Sequence, residues 1–531
     1  MSHITVAVNT WLDSAGIVAR GRGLRYHRRV TVSAPSTFRP PGSLPTEPLA
    51  AYAGPWNARL AAHLLRRAGF GGSPAEIARA AGAPMNAAVD ALVHVPATDS
   101  LPAAPALIDD AEGRPLTATP ALPEAPAMMA GASPAPDDAA TSAIVELRKQ
   151  RNMLRREQDR ANVTWWLDRM LATPAPLQEK LTLFLHGTFT SSDNQKGIYG
   201  LEIVDQNALF RRYALGNWRE LTHGVARDVA MLKYLDNARN VKAHPNETFA
   251  RELMELFTLG IGNYSENDVR ESARAFTGYT FRRRTGEFFF NAAQHDDGAK
   301  TFLGRTGNLT GDDVIDIIYA QPAAPKYVAR RLLEFFVYSD PEPQLVDELA
   351  ALIRKNDFNM APAISTLLRS NVFYSERSYR ALVKSPVEFV IGSYKLFGVP
   401  QVNPDAIAVL RRMGQVPFHP PNVKGWDGGV QWLNTQTLLA RENFASGLMV
   451  AAMQTDNFLR AASAANATEL ARSLAQTILQ GDASPASLAN LEAFLDGHGT
   501  SANGALSGEN YEERLRGAAY LTMAMPAYQL C

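Results

Sequence analysis

The chain has 531 residues, of which 46% are hydrophobic and 20% charged, a composition typical of globular rather than disordered proteins. Its 53 basic and 53 acidic residues balance, so no overall field favours nucleic acid or an anionic membrane. The single cysteine, Cys531, excludes internal disulfides and cysteine-based metal clusters. As the last residue, it is expected at a frayed terminus, where it would be a poor nucleophile.

Residues 1–50 predict an irregular leader rich in Pro and Ser. Asp13 and a run of basic residues interrupt the only apolar candidate segment, so no signal peptide is expected and the sequence by itself favours the cytoplasm. No stretch approaches the roughly 20 apolar residues of a membrane-spanning helix.

The next segment, 51–95, predicts a helix, a turn and a second helix, with Ser73 and Glu76 forming a capping box. Residues 96–140 are dominated by Ala and Pro and predict a linker or insertion, because they bury too little apolar surface to offset their ordering entropy.

A helical core is predicted over 141–394 and a C-terminal helical region packed on it over 395–531. The core begins with a long helix, 141–172, whose basic residues suggest either a nucleic-acid or membrane face or, as we favour, a solvated flank with acids such as Asp159 interspersed. A small β-hairpin is expected near 279–304, around Thr285. The predicted fold class is therefore mainly α: a multi-helical globular core with a small β-hairpin and an irregular Pro/Ala-rich insertion.

The stretch "HPNETFARELMELFTLG" predicts a helix with Asn246 as N-cap and Gly260 just after its end. Glu247, Arg251 and Glu255 are spaced four apart, so they can form ordinary ion pairs along one exposed face.

Glu252 lies beside the apolar stripe of the same helix, which ordinary surface pairing explains less well. We expect Glu252 or Glu255 to pair with Arg270 or Arg274 on a following helix that Ser265 caps. The alternatives are a buried ion network, a carboxylate cluster that forms a site, or simple solvation.

Histidines form a second candidate set. His186, His223 and His295 are candidate metal ligands, because distant helices can project His side chains into one site. Their long separations in sequence leave open whether they converge, and each could instead be a capped or core residue.

The segment "QHDDGAKTFLG" places His295, Asp296 and Lys300 after an aromatic strand, with Lys300 on a loop between glycines. A His beside carboxylates can act as a general base or a ligand. The alternative is a local turn that closes the hairpin.

The segment "HPPNVKGWDGGVQWLN" contains Trp426, which could line a groove for a sugar or peptide, or fill a gap between the tail and the core. The signatures of P-loop nucleotide-binding proteins, Rossmann folds, zincins and α/β-hydrolases are absent from the sequence.

Several long motifs in order carry a family resemblance: "WWLDRMLATPAPLQEKLTLFLHGTFTSS", "NETFARELMELFTLGIGNYSENDVRESARAFTGYTF", "QHDDGAKTFLG" and "PNVKGWDGGVQWLN". The chain resembles the bacterial family of unknown function number 1800. The resemblance implies no activity. It does imply frequent export and a partner from the neighbouring family of unknown function 1501, which resembles alkaline phosphatases and sulfatases. In "FLHGTF", Thr188 stands where relatives tend to carry a second His.

Two hypotheses follow: a helical protein that acts with a partner, or a hydrolytic enzyme with metal-assisted or acid/base chemistry in the helical core. In the second, Glu252, His295 and Asp296 are the candidate catalytic residues, and a divalent metal is the candidate cofactor. The candidate ligand-binding residues are Asn246, Arg251, Glu255, Arg270, Arg274, Lys300 and Trp426.

Overall fold

The computed structural model describes residues 42–94, 101, 103–106, 138–193, 195–198, 200–282, 285–455, 457–459, 466–496 and 511–531. This part of the chain is built from α-helices and two small hairpins, which confirms the predicted mainly α fold. The helices are α1 Ala58–Arg67, α2 Pro74–Gly82, α3 Met85–Val93, α4 Asp138–Ala172, α5 Pro176–His186, α6 Leu201–Tyr213, α7 Trp218–Arg227, α8 Val229–Tyr234, α9 Thr248–Glu252, α10 Glu266–Ala275, α11 Gly311–Ala320, α12 Ala323–Phe336, α13 Pro343–Lys355, α14 Met360–Arg369, α15 Pro386–Leu396, α16 Ala406–Met413, α17 Thr435–Ala452, α18 Ala467–Leu479, α19 Pro485–Asp496, α20 Tyr511–Ala524 and α21 Pro526–Gln529.

The strands form two separate antiparallel hairpins. Strand β1 (Tyr279–Phe281) pairs with β2 (Phe288–Phe290), which confirms the predicted hairpin. Strand β3 (Lys300–Phe302) pairs with β4 (Arg305–Gly307) in a second hairpin that we did not predict. Three-residue strands are too short to show a clear alternation of polar and apolar residues, so the sequence carries little signal for them.

Local capping chemistry sets several helix starts. The predicted capping boxes at Ser73 and Ser265 are both present. The prediction for Asn246 was wrong by one residue: Glu247 is the N-cap of α9, and the Asn246 Oδ1 atom accepts from the backbone N–H of Thr248 at 2.9 Å. Gly260 follows the helix with φ +79°, as predicted.

Helix α9 continues directly into a helix of different pitch. From Leu253 to Thr258 the backbone continues as a π-helix, a wider turn that often occurs at functional sites. Phe249, Leu253 and Phe257 remain buried through this change, so the predicted apolar stripe still faces the core.

Helix α5 lies at the centre of the core. Leu177, Leu181, Phe184 and Leu185 on this helix are all buried, and α5 packs against α4 and α6. Because α5 is enclosed on several sides, its last residue, His186, is held inside the protein rather than at the surface.

The N-terminal segment and the C-terminal end pack on the same body. The backbone N–H of Val372 donates to Pro48 O, and that of Tyr52 to Arg369 O. The predicted leader up to residue 41 and most of the 96–140 segment lie outside the described residues, so the proposed domain boundaries remain predictions. No described helix is both long and apolar enough to cross a membrane.

Cys531 does not lie at a frayed end. It is 3% exposed, and its backbone N–H donates to Leu382 O at 2.8 Å. The expectation of a frayed terminus was therefore wrong, because it considered only position in the chain and not the packing of the last residues.

Candidate metal site

Two loops meet above the C-terminal end of α5. The first follows His186 and runs from Gly187 to Asp193, and the second follows α16 and includes Phe418 to Trp426. Their backbones touch at two glycines: a Cβ atom on Gly425, which has φ +81°, would lie 2.4 Å from Gly187 O. Only glycine allows this approach, so the "KGWDGG" motif brings the second loop against the first.

Phe418 joins the two loops through its own peptide groups. Its N–H donates to the Nε2 atom of His186 at 3.1 Å, and its carbonyl accepts from the N–H of Asp193 at 2.9 Å. Phe418 is fully buried with φ +67°, a left-handed conformation that costs about 1–3 kcal/mol in a non-glycine residue. The two hydrogen bonds and the burial hold this strain immediately before His419.

His419 lies between two carboxylates. Its Nε2 atom lies 2.6 Å from the Oδ1 atom of Asp159, which comes from α4. One donor atom from each of Asp159, Asp193 and His419 lies within 4.8 Å of the other two, the one such group of His, Cys, Asp or Glu found in the described part of the chain. The side chains of His419 and Asp159 are 26% and 18% exposed, whereas Asp193 is buried. The cluster is therefore open to solvent on one side.

The charges of the cluster follow from its surroundings. Burial lowers the pKa of His419, but the hydrogen-bonded Asp159 and the nearby Asp193 more than offset this, so the pKa lies above its usual value. Beneath it, burial and repulsion from His419 lower the pKa of His186 to about 3. His186 is therefore neutral and accepts from Phe418 through Nε2, so its proton resides on Nδ1.

Aromatic rings surround the ring of His186. The ring of His186 lies 5.6 Å from those of Trp166 and Trp426 and 5.7 Å from that of Phe418, all in edge-to-face geometry. Trp426 thus packs on the core side of the loop junction, as in the gap-filling alternative for this residue.

Glu252 lies near the second of these loops. Burial raises its pKa, Glu255 raises it further, and Arg251 and Lys424 oppose the shift. Glu255 itself accepts from the hydroxyl of Tyr264 at 3.0 Å. Glu252 has no ion pair with another described residue.

The predicted pairing of Glu252 or Glu255 with Arg270 or Arg274 was wrong. Arg270 donates to Asn267. The Nε atom of Arg274 pairs with Asp296 at 2.7 Å, and Nη1 pairs with Glu271. Glu271 lies on the same helix as Arg274, and Asp296 comes from the segment between the two hairpins, which a two-helix picture could not include.

One of the ion pairs predicted from the four-residue spacing along α9 is present. Arg251 pairs with Glu247 at 3.2 Å, as expected for residues four apart, and also with Glu266 on α10 at 2.8 Å. These side chains tie α9 to α10 at the surface.

The "QHDDGAKTFLG" segment is a tightly bonded corner. The Nδ1 atom of His295 lies 2.9 Å from Thr277 O, and its Nε2 atom is buried without a partner among the described residues. Lys300 is a buried residue of β3 rather than a loop residue, and its Nζ atom donates to the carbonyls of Asp296 and Gly298.

The three candidate histidine ligands occupy different surroundings. His186 lies beneath the loop junction, His295 beside the first hairpin, and His223 on α7. Asp312 and Asp316 lie 3.3 and 3.2 Å from opposite ring nitrogens of His223, so these carboxylates cannot share one ion with it. His223 thus makes ordinary pairs with two carboxylates.

Sequence reasoning missed the three residues that do converge. Asp159 was assigned to a solvated helix flank, and neither Asp193 nor His419 was singled out. Asp193 directly follows the motif that ends in "HGTFTSS", and His419 lies two residues before "PNVKGWDGGVQWLN". Their position beside two motifs of the family resemblance is the signal that could have identified them. Their distance in the chain hid the contact.

Comparisons with known proteins give a family but no activity. No curated protein and no solved structure is similar enough to this chain to count as a match. The model of the family described as "Protein of unknown function (DUF1800)" matches residues 63–530, nearly the whole chain. The chain therefore belongs to the DUF1800 family.

Proposed function

We propose that Asp159, Asp193 and His419 bind a divalent transition-metal ion and that this chain is a metal-dependent hydrolase. The observation that supports this is the convergence of one imidazole and two carboxylates within 4.8 Å on a partly exposed surface. Mixed nitrogen and oxygen donors suit zinc, manganese or iron. Three protein ligands leave coordination positions open for water and substrate, as in catalytic rather than structural sites.

Metal binding must displace a proton from His419. In the metal-free protein, Asp159 and Asp193 favour the protonated imidazole, whereas a metal needs the neutral ring. Affinity should therefore rise with pH as His419 loses its proton. A zinc ion held by Asp159, Asp193 and His419 would lower the pKa of a bound water to about 7 and so would supply a hydroxide nucleophile near neutral pH.

The first test is the metal content of the purified protein, measured by elemental analysis and by titration of metal-free protein with Zn²⁺ and Mn²⁺. We expect one ion per chain in the wild type and loss of binding in Asp193→Asn and His419→Ala. His223→Ala is the matched control, because it also removes a histidine paired with carboxylates but leaves Asp159, Asp193 and His419 unchanged. Thermal unfolding checks that each variant is folded.

Hydrolysis is then measured with panels of phosphate, carboxylate and sulfate esters, with and without a chelator. Activity that the chelator abolishes and Zn²⁺ or Mn²⁺ restores is the expected result. A wild type that binds neither ion, or folded Asp193→Asn and His419→Ala variants that bind as tightly as the wild type, would refute the metal site.

A role with a partner protein, such as a member of family 1501, is the second candidate function. The exposed face of α17 favours it, because this face carries no charge. Its members are Gln436, Leu439, Asn443, Ser446, Gly447 and Val450. Leu439 and Val450 are about half exposed, at 49% and 51%.

The partner role is tested by co-elution of the chain with a purified family 1501 protein on size exclusion. Leu439→Glu and Val450→Glu should abolish a complex. Ile261→Glu changes another residue, 80% exposed, away from this face, and should leave the complex intact. Separate elution of the wild-type proteins would refute this role.

A further inference from the structure

A cavity separate from the metal cluster lies where helix α1 meets the C-terminal end of the chain. It has a volume of about 40 Å³, which is room for about three water molecules. Its walls come from α1, the turn after it, α15 and the last residues of the chain, and its charged lining residues are Arg66, Arg380, Lys384 and Glu388. Cations therefore outnumber carboxylates in the lining.

More cations lie directly behind this lining. Arg67 and Arg441 are 1% and 0% exposed, and Lys384, in the lining itself, is 8% exposed. Burial and the charge of Arg380 lower the pKa of Arg66 to about 10, and burial lowers that of Arg441 to about 10. Guanidinium groups with such values remain charged at neutral pH. Burial and the charges of Arg66 and Arg380 lower the pKa of the Lys384 amine well below its usual value.

The nearby carboxylates already have partners. Glu388 is in contact with the ammonium group of Lys180 and caps α15 through Ser385. Asp482 pairs with Arg380 at 2.6 Å and with Arg59 at 3.1 Å. Among the described residues, no ion pair reaches the three arginines Arg66, Arg67 and Arg441 or the amine of Lys384.

Neutral acceptors satisfy only part of these groups. Arg66 donates through Nη1 to Gln480 at 2.5 Å, and Arg67 through Nη2 to Ser378 O at 2.5 Å. Buried N–H groups of Arg66 (Nε and Nη2), Arg67 (Nε and Nη1) and Arg441 (Nε) have no hydrogen-bond partner in the described part of the chain. Lys384 points at the face of the Tyr528 ring, 3.8 Å from its centroid.

The group at Cys531 does not complete the cluster. Burial and Glu388 raise the pKa of its thiol, which is therefore neutral. Cys531 forms no ion pair with a described residue, and its influence on Arg66 and Arg67 does not offset their burial, because the pKa of both remains lowered. Unpaired buried charges are strongly unfavourable, so this arrangement calls for an anion from outside the chain.

We propose that this cavity binds a phosphate-sized oxyanion, held by the fork of Arg66 and the side-chain amine of Lys384 with Arg67 and Arg441 behind them. Planar guanidinium groups match the oxygens of phosphate in two-point contacts. The cavity has room for a tetrahedral oxyanion or the terminal phosphate of an ester. This proposal is independent of the metal site, which uses none of these residues.

The test is isothermal titration of the full chain, treated with chelator, with inorganic phosphate at constant ionic strength set by chloride. We expect saturable binding and a rise in the unfolding temperature that chloride alone does not produce. Arg66→Gln and Lys384→Gln should weaken phosphate binding at least tenfold. Arg354→Gln is the control, because Arg354 is a surface arginine that donates to a backbone carbonyl outside the cavity.

Arg66→Lys provides a variant that keeps the charge and should fold if Arg66→Gln does not. It should weaken phosphate binding because it loses the fork. Titration with glycerol 1-phosphate distinguishes the source of the oxyanion: binding of the ester as well identifies a phosphate monoester site, and binding of phosphate alone identifies a free-ion site. Equal responses to phosphate and chloride, or equal affinities in the wild type and the folded cavity variants, would overturn the proposal.

Discussion

The substitution Glu179→Gln removes the most completely paired buried carboxylate near the candidate metal site. Glu179 is 0% exposed and lies on α5. Its Oε1 atom accepts from Arg169 at 2.6 Å and from Arg211 at 2.5 Å, and its Oε2 atom accepts from Trp166 at 3.1 Å and from Arg211 at 3.0 Å. Glutamine would keep one acceptor oxygen and place an NH₂ group against two N–H donors.

The expected loss of stability is about 3 kcal/mol. Breaking a buried ion pair costs about 3–5 kcal/mol, and we take the lower end because the arginine side chains can rehydrate. Those of Arg169 and Arg211 are 16% and 12% exposed. If residues 63–530 unfold together at about 2.1 cal/mol/K per residue, this loss lowers Tm by about 3 °C.

The loss should depend on pH in a defined direction. Burial raises the pKa of Glu179, but Arg211 and Arg169 more than offset this and lower it below its usual value. A lowered folded pKa contributes stability above the unfolded pKa of about 4.3 and loses it as pH falls through the folded value. The difference between the wild type and Glu179→Gln should therefore be full at pH 7 and shrink below about pH 4.

Differential scanning calorimetry and urea denaturation measure the effect. The control, Asp347→Asn, breaks the exposed pair with Lys326, whose side chains are 55% and 53% exposed, and should cost less than about 1 kcal/mol. A Glu179→Gln variant as stable at pH 7 as Asp347→Asn would show that the buried cluster contributes no net stability and refute the reasoning.

Three further predictions concern the loops and the hairpin corner. Gly425→Ala should destabilise by at least about 1 kcal/mol more than Gly414→Ala in thermal unfolding, because both have positive φ but only Gly425 faces a carbonyl; equal losses would contradict this. His419→Gln should lose more stability at pH 6 than at pH 8.5 in metal-free protein, since the raised pKa of His419 stabilises the fold in its protonated form and this contribution is lost as pH rises; a constant difference would contradict it. Arg274→Lys should cost roughly 1–2 kcal/mol in urea denaturation, because lysine keeps the charge but cannot contact Asp296 and Glu271 as a fork; unchanged stability would contradict it.

The sequence predicted local structure correctly where contacts between neighbouring residues determine it. The capping boxes at Ser73 and Ser265, the positive φ of Gly260 and the hairpin around Thr285 were all predicted, because each depends on contacts within a few residues. The prediction failed by one position at Asn246, where two adjacent polar residues compete for the cap.

The sequence did not predict which side chains far apart in the chain form pairs. Arg274 pairs with Asp296 rather than Glu252, because the segment between the two hairpins places Asp296 against α10. A carboxylate and an arginine on neighbouring helices look complementary in sequence. A carboxylate from a third segment can pair with the arginine instead.

By itself, the sequence determined the mainly α fold, the order of most elements and the family of this protein, because helical periodicity, capping residues and long motifs are properties of contiguous residues. Only the tertiary structure decided which polar groups meet. Asp159, Asp193 and His419 are brought together by a left-handed Phe418 and two touching glycines, and the cavity arginines Arg66 and Arg380 lie far apart in the chain. Such convergence depends on how the buried helices pack, and one-dimensional spacing carries no record of it.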